Sequence, residues 1–254
     1  MTPRQRRWLF FAGIAIFLAF YLCGLKGLPG FGNYPGPYGF IINRIAVAQT
    51  HATGVVSAVN FEYRGFDTVG EEFILFVAAT GVATVLRHMR GEREETASAV
   101  GAPEREAPST TDAIRLAALL FAGPAVLMGC YLGLHAQTSP SGGFQGGVVL
   151  ASAFVMIYLA GEYLTFRRIS PVSLLDSVEA VGAGGFAGVG ILAVILGLPY
   201  LNNFLPLGAL PGKIGSSGTI EVISFFVGIE VAAAFILIIG ELLEQTLLVR
   251  QESD

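Results

Sequence analysis

"FIINRIAVAQTHATGVVSAVNFEYRGFD", Phe40 to Asp67, decides how many times this chain crosses a membrane. The stretch is apolar enough to be taken for a spanning helix, yet it carries Asn43, Arg44, Gln49, His51, Asn60, Glu62 and Arg64. A bilayer's hydrocarbon core asks for roughly 20 mostly apolar residues per helix. Six other runs meet that requirement: Trp8 to Leu25, Thr68 to Leu86, Ala113 to Leu134, Gly146 to Phe166, Val178 to Leu198 and Thr219 to Leu242. Basic residues collect on the cytoplasmic side of membrane proteins, so charge tests the two counts. With six spans and an inside N-terminus, Arg4, Arg6, Arg7, Arg87, Arg90, Arg93, Arg105, Arg115, Arg167, Arg168 and Arg250 lie inside, eleven of the fifteen basic residues. A seventh span leaves only Arg4, Arg6, Arg7, Arg64 and Lys213 inside, and inverting the chain repairs the count only by exporting the Arg4 to Arg7 cluster. The reading is an all-α, polytopic membrane protein of six transmembrane helices, with seven as the alternative and both termini cytoplasmic. Phe40 to Asp67 is then a partly helical outer segment sheltered by protein, because irregular backbone facing lipid leaves its polar groups unpaired.

Composition agrees. Of 254 residues 53% are hydrophobic and 13% charged, and the mean hydropathy is +0.65; soluble domains carry about a quarter charged residues. A net charge of -4, spread along the chain, leaves no basic face for a nucleic-acid backbone. Cys23 and Cys130 fall inside apolar runs, where thiols behave as small buried hydrophobes, and indicate neither a disulfide nor a metal knuckle. No cofactor is indicated. The first run follows three arginines like a signal peptide, but no small-residue cleavage site precedes Lys26 and "GLPGFGNYPGPYG", so it reads as an uncleaved span.

Between Arg87 and Asp112 the chain turns mixed in charge and rich in Ala, Pro, Ser and Thr. That composition marks a linker. It divides the chain into a two-span unit (1–90), a cytoplasmic linker (91–112) and a four-span unit (113–254), with Ser109 to Asp112 as helix-starting residues. No repeat relates the units.

"TSPSGGFQGGVVLASAFVMIYLAGEYLTFRR", Thr138 to Arg168, places four glycines and a proline at the mouth of an apolar helix. It is neither a phosphate loop nor a dinucleotide fingerprint, since no Gly-Lys-Ser/Thr follows and no strand precedes it. Two uses remain. Gly142/Gly146 and Gly143/Gly147 are four apart, as small residues are where membrane helices approach closely, and the device recurs at Gly184/Gly188. Alternatively they make an unwound entry whose amides face a polar path. Ser139 and Ser141 are available as caps in either case.

"SPSGGFQGGVVLASAFVMIYLAG" resembles the Pro-Gly-Gly-Gly-Phe-x-Gly-Gly signature of the MnhB family, the B-type component of the Mrp (Mnh, Pha) multisubunit sodium/proton antiporters, with Ser141 in place of the first glycine. "GKIGSSGTIEVISFFVGIEVAAAFILII" is similar to that family's last helix, and the likeness covers Ala113 to Glu244. "VNFEYRGFDTVGEEFILFVAATGV", Val59 to Val82, resembles the Arg-Gly-Phe-Asp-Thr-Leu-Gly-Glu segment near the end of the large, A-type component of those antiporters, the counterpart of a small protein of membrane-bound hydrogenases. The resemblance implies two neighbouring modules fused in one chain, other hydrophobic subunits as partners, and export of sodium or a similar monovalent cation coupled to proton movement. The pumping body of the large component is absent from the sequence, so this chain is not expected to transport alone.

Ionisable groups within a bilayer are costly and usually face protein or water. Glu230 lies midway along Thr219 to Leu242 with no basic residue in that run; a protonated, hydrogen-bonded acid is the bland reading and a proton or cation relay the functional one. Glu71 matches the last position of the Arg-Gly-Phe-Asp segment and is read as an ion-path residue, paired with Arg64, or as first-turn helix chemistry with Asp67 and Thr68; capping alone accounts for Glu72. Asp176, Glu179 and Glu162 read first as interface charges pairing with neighbouring arginines, Glu162 and Glu179 also as lining an entrance. Pro140 and Phe144 are expected to shape the bend and wedge against a neighbouring helix. His51, His88 and His135 share no ligand spacing; only His51 is placed to carry a proton, beside the plainer role of a satisfied polar residue. Neither Gly-x-Ser-x-Gly nor His-Glu-x-x-His occurs, which weighs against a membrane enzyme. A purely structural membrane component of a related complex remains the competing class.

Overall fold

The structure is a computed structural model that describes residues 3–28, 30, 32, 33, 36–97, 110–138 and 141–251, leaving aside the side chains at 3, 6, 88–97, 162, 164 and 245–251. All regular structure among them is helical. Two compact units are present, Met1–Ile41 and Ile42–Asp254. The first holds α1 (Pro3–Lys26), whose Arg7–Lys26 stretch is apolar on every side and long enough to cross a membrane. The second holds five further helices of spanning length: α4 (Gly65–Ala97), α5 (Asp112–Leu134), α6 (Gly143–Ile169), α7 (Val172–Ile195) and α8 (Thr219–Gln251). Six such helices is the expected number. α4 runs on as one helix through the expected unit boundary at residue 90, and 98–109 of the expected linker lie outside the described residues.

Phe40 to Asp67 does not span. α2 (Tyr38–Thr50) has 13 residues, about 20 Å at 1.5 Å per residue against a hydrocarbon core of about 30 Å. It ends where His51 takes a left-handed conformation, φ 55°. A single turn, α3 (Val55–Ala58), then widens into a π-turn, Val59–Tyr63, closed by the Arg64 N–H donating to the Val59 carbonyl at 2.7 Å. The irregular backbone is sheltered by protein, as polar groups in a low-dielectric layer require. The Gly54 N–H donates to the Gln137 carbonyl (3.0 Å), Thr53 Oγ1 to the Thr138 carbonyl (3.1 Å), Ser57 Oγ to the Ala136 carbonyl (2.6 Å) and the Gly212 N–H to the His51 carbonyl (3.0 Å).

α8 is the central helix of its unit: 56% of its apolar window is buried, against a third or less for every other spanning helix. α4, α6 and α7 pack on it. One core cluster, near the starts of α4 and α8, joins Ile42, Phe61, Phe186, Leu201, Ile223 and Val227. The other joins Ala83, Phe166, Leu175, Ile236 and Leu237 near Arg87 and Arg167. These ends are called the loop end and the arginine end below.

The Thr138 to Arg168 glycines do pack helices. A Cβ on Gly147 would lie 2.7 Å from the Gly228 carbonyl oxygen of α8, and one on Gly143 would overlap the Ser224 carbonyl oxygen. Gly146 turns the other way, onto α5, where its Cβ would stand 2.5 Å from the Gly133 nitrogen. Gly142, in extended conformation, rather than Ser141 is the N-cap position of α6, and Ser139 and Pro140 lie outside the described residues. Gly184 and Gly188, expected to repeat the device, have open space around them. The glycines of α7 that meet neighbours are Gly182 on Glu230, Gly185 on Phe226 and Gly190 on Tyr200. The helical spacing holds there, but four-residue spacing alone does not say which face is turned inward. Cys23 and Cys130 are likewise exposed rather than buried: both sit on outward faces of apolar helices, where a thiol is as acceptable as any small hydrocarbon. Phe144 meets Phe235 of α8 edge to face at 6.4 Å, the expected wedge.

Gly147→Leu is expected to force α6 off α8 and destabilise the chain by about 1–3 kcal/mol, seen as a lower unfolding temperature in detergent, whereas Gly184→Leu leaves that temperature unchanged.

Candidate functional site

Among the described residues, three carboxyl groups sit inside the bundle without a hydrogen-bond partner for at least one oxygen. Glu230 of α8 is 0% exposed with both carboxyl oxygens unpartnered; Glu72 of α4 is 3% exposed and Glu179 of α7 is 2% exposed, each with one such oxygen. Glu72 and Glu179 are the carboxyls close enough to act electrostatically on Glu230. Packing explains how they meet. Gly182 brings α7 against Glu230 so closely that a Cβ on it would stand 2.5 Å from the Glu230 Cβ. Glu179 lies three residues before Gly182 on the same buried face. Val227, one turn from Glu230, and Glu72 together line the same cavity.

That cavity, about 250 Å³, opens at the loop end. Ser57, Asn60, Thr68, Glu71, Glu72 and Gln145 give it a polar wall. Gly142 and Gly143 line it too; Gly143 lets α6 touch α8, and the helix is already wound from Gly143 on rather than opened into an unwound entry.

Glu71 and Glu72 both line the cavity but differ in burial. Glu71 is exposed at the cavity and Glu72 points inward. Arg64 pairs with Asp67, one turn away, rather than with Glu71. The buried face of α4 runs through Gly65, Thr68, Glu72, Ala79 and Ala83, spaced three, four, seven and four apart as one helix face demands. Counting back from the small residues Ala79 and Ala83 finds Glu72, a signal the acid pair alone hides.

At the arginine end the acids are paired. Arg87 donates through both terminal nitrogens to Asp176 (3.0 and 3.1 Å) and through Nε to Glu241 at 2.9 Å, tying α4 to α7 and α8. Arg167 holds Glu244 at 2.9 Å. The expectation that Asp176 pairs with an arginine holds, while Glu241, Glu244 and the bridging role of Arg87 had no signal in local sequence. Glu162 is on α6, its side chain outside the described residues, as is that of His88. From Glu72 to Arg87 is fifteen residues of α4, about 22 Å along the axis.

His51 has structural partners: its Nδ1 donates to the Leu207 carbonyl at 3.1 Å. His135 stacks on Tyr131 with ring centroids 4.1 Å apart. A clasp that sequence reading missed is Asn203, which donates to Glu62 (3.1 Å) and the Ser217 carbonyl (3.0 Å) and accepts from the Thr219 N–H (2.8 Å), capping α8. Burial pushes the Glu62 carboxyl above its ordinary range, with the Asn203 hydrogen bond pulling the other way. Among the described residues no three His, Cys, Asp or Glu side chains are grouped to hold a metal ion.

Removing Arg87 leaves Glu241 without its guanidinium. Arg87→Ala is expected to cost about 1–3 kcal/mol, discounted for the partial exposure of Arg87, and Arg87→Lys to recover part of it; detergent unfolding curves compare the three.

Residues 113–237 match the family described as a domain related to the MnhB subunit of Na+/H+ antiporter. An uncharacterized protein of Methanocaldococcus jannaschii is 27% identical over 236 residues, 87% of each chain. A probable K(+)/H(+) antiporter A/B subunit of Rhizobium meliloti is 26% identical over 221 residues, 79% of this chain but only 22% of that longer protein. Among solved structures, a chain of the membrane-bound sulfane sulfur reductase, an archaeal respiratory membrane complex, superposes with a TM-score of 0.68 at 25% identity, covering 94% of this chain and 98% of the other. A chain of the Mrp complex from Dietzia sp. DQ12-45-1b shares the fold, with a TM-score of 0.67 at 21% identity over 95% of this chain and 26% of the other. The glycine-mouthed α6, α7 with Glu179 and the part of α8 that carries Glu230 thus lie within the residues that match the domain related to the MnhB subunit of Na+/H+ antiporters.

Proposed function

We propose that this chain is a membrane subunit of a multisubunit monovalent cation/proton antiporter, and that its internal carboxyls form part of an ion path completed by partner subunits. One observation carries the second half of that reading. Glu72, Glu230 and Glu179 stand in file between a polar cavity at the loop end and the Arg87 cluster at the arginine end. A buried carboxyl without partners is costly in an apolar layer and marks a functional position by default. Glu71 serves the file as the acid at the cavity mouth, and Glu72 is the first internal station. The fused order, a two-span unit related to the end of the large antiporter component followed by an MnhB-like unit, is supported by the likeness to a relative named as a combined A/B protein. The exposed apolar faces of α5 and α7 suit hydrophobic partner helices. Sodium, or a similar monovalent cation, and protons are the transported species on this reading, with the arginine end cytoplasmic.

A second reading has its own observation. The reductase-complex chain is covered almost completely, which favours a membrane-arm component of a redox-linked complex in which this chain only seals and anchors.

Purification of the tagged chain tests both: co-purifying antiporter subunits support the first reading, redox subunits the second. In everted vesicles Glu230→Gln and Glu72→Gln are expected to lower cation/proton exchange at least tenfold while the complex still assembles, with Glu71→Gln milder. Normal exchange in Glu230→Gln and Glu72→Gln would reduce the file to structure. Reporter fusions at the end of α8 are expected to be active only on the cytoplasmic side.

A further inference from the structure

This inference rests on the antiporter reading and narrows it. We propose that Glu230 and Glu179 relay protons rather than the transported metal cation. A proton needs one oxygen lone pair, whereas an alkali cation needs a shell of several oxygens to replace its hydration. Glu230 offers no such shell. Its neighbours on the same face of α8 are Phe226, Val227, Ala233 and Ala234, and against it from α7 comes Gly182. Among the described residues, the charged groups that act on it are Glu72 from α4 and Glu179 from α7, both carboxyls. Neither Glu230 oxygen has a hydrogen-bond partner, and among the described residues no three His, Cys, Asp or Glu side chains are grouped to hold a metal ion. A proton satisfies such an oxygen alone, whereas an alkali cation needs more oxygens around it than that.

Beyond Glu230 the file reaches an ion-paired cluster. Arg87 is within electrostatic reach of Glu179, and its guanidinium is held on α7 by Asp176 and on α8 by Glu241. Those pairs engage the donors of Arg87 and the oxygens of Asp176, so a proton carried on a carboxyl can arrive there without a companion ion. Glu179 and Asp176 are one turn apart on α7, and Asp176 is partly exposed. The step is balanced: the O–H bond on a Glu179 oxygen breaks, one forms on an Asp176 oxygen or an intervening water, and the Glu179 carboxylate then faces Arg87 until Glu230 reprotonates it. The metal cation can reach the polar cavity at Glu71 and Glu72 but does not pass Glu230.

Infrared difference spectroscopy on the purified complex reads this without relying on transport. The wild-type complex at neutral pH is expected to show the carbonyl-stretch band of a protonated carboxylic acid, reduced in Glu230→Gln and unchanged when sodium chloride replaces choline chloride at constant ionic strength. Glu179→Gln gives the same comparison at the neighbouring station should Glu230→Gln fail to assemble. Displacement of either residue's band by sodium, or spectra identical with and without the substitution, would overturn the proposal. Failure of the antiporter reading appears instead in the co-purifying subunits and in the exchange assay, so the two are separable.

Discussion

A carboxyl group enclosed in hydrocarbon without a donor or counter-ion is among the least comfortable groups a membrane protein can hold. Glu230 occupies that position at the middle of the most buried helix. Much of the surrounding architecture follows from accommodating it. α7 closes on it through Gly182, which leaves no side chain to push the helix away. Small residues, Ala232, Ala233 and Ala234, continue α8 beyond it and keep the bundle tight. The neighbouring acids that face it come from two different helices, so the site exists only when α4, α7 and α8 are assembled together.

The two ends of the bundle are fastened by different means. At the arginine end long charged side chains cross between helices, Arg87 to Asp176 and Glu241, Arg167 to Glu244. At the loop end the work is done by neutral hydrogen bonds: Ser57, Thr53 and Asn203 take up carbonyls and amides that irregular backbone would otherwise leave unpaired. Neutral clasps at one mouth leave the cavity's acids, Glu71 and Glu72, free of a basic partner in the same wall.

What could be read from the sequence depended on whether the physical signal is local. Six spans were legible because a hydrocarbon layer imposes a length that composition reveals directly, and Phe40 to Asp67 was legible as an exception because its charges interrupt that length. Glu230 was legible for the same reason, an acid midway along an apolar run. Glu72 was not, since two adjacent acids at a helix start invite a capping explanation and only the small-residue face of α4 distinguishes them. Gly184 and Gly188 have the right spacing on the wrong face, while Gly182, Gly185 and Gly190 are committed by partners on α8 and the following loop that local sequence does not name. The bridge made by Arg87 joins residues 89 and 154 positions away, a distance at which only the assembled fold carries information.

The glycine contacts have a mechanical corollary. α5, α6, α7 and α8 meet backbone to backbone or backbone to ring, so sliding any one of them means breaking close atomic contact along its length. α4 is different: Gly70 and Gly81 touch nothing, and the helix joins its neighbours through side chains, the buried Ala79 and Ala83 and the guanidinium of Arg87. Glu71 and Glu72 thus ride on a helix that no glycine locks to a neighbouring helix's backbone.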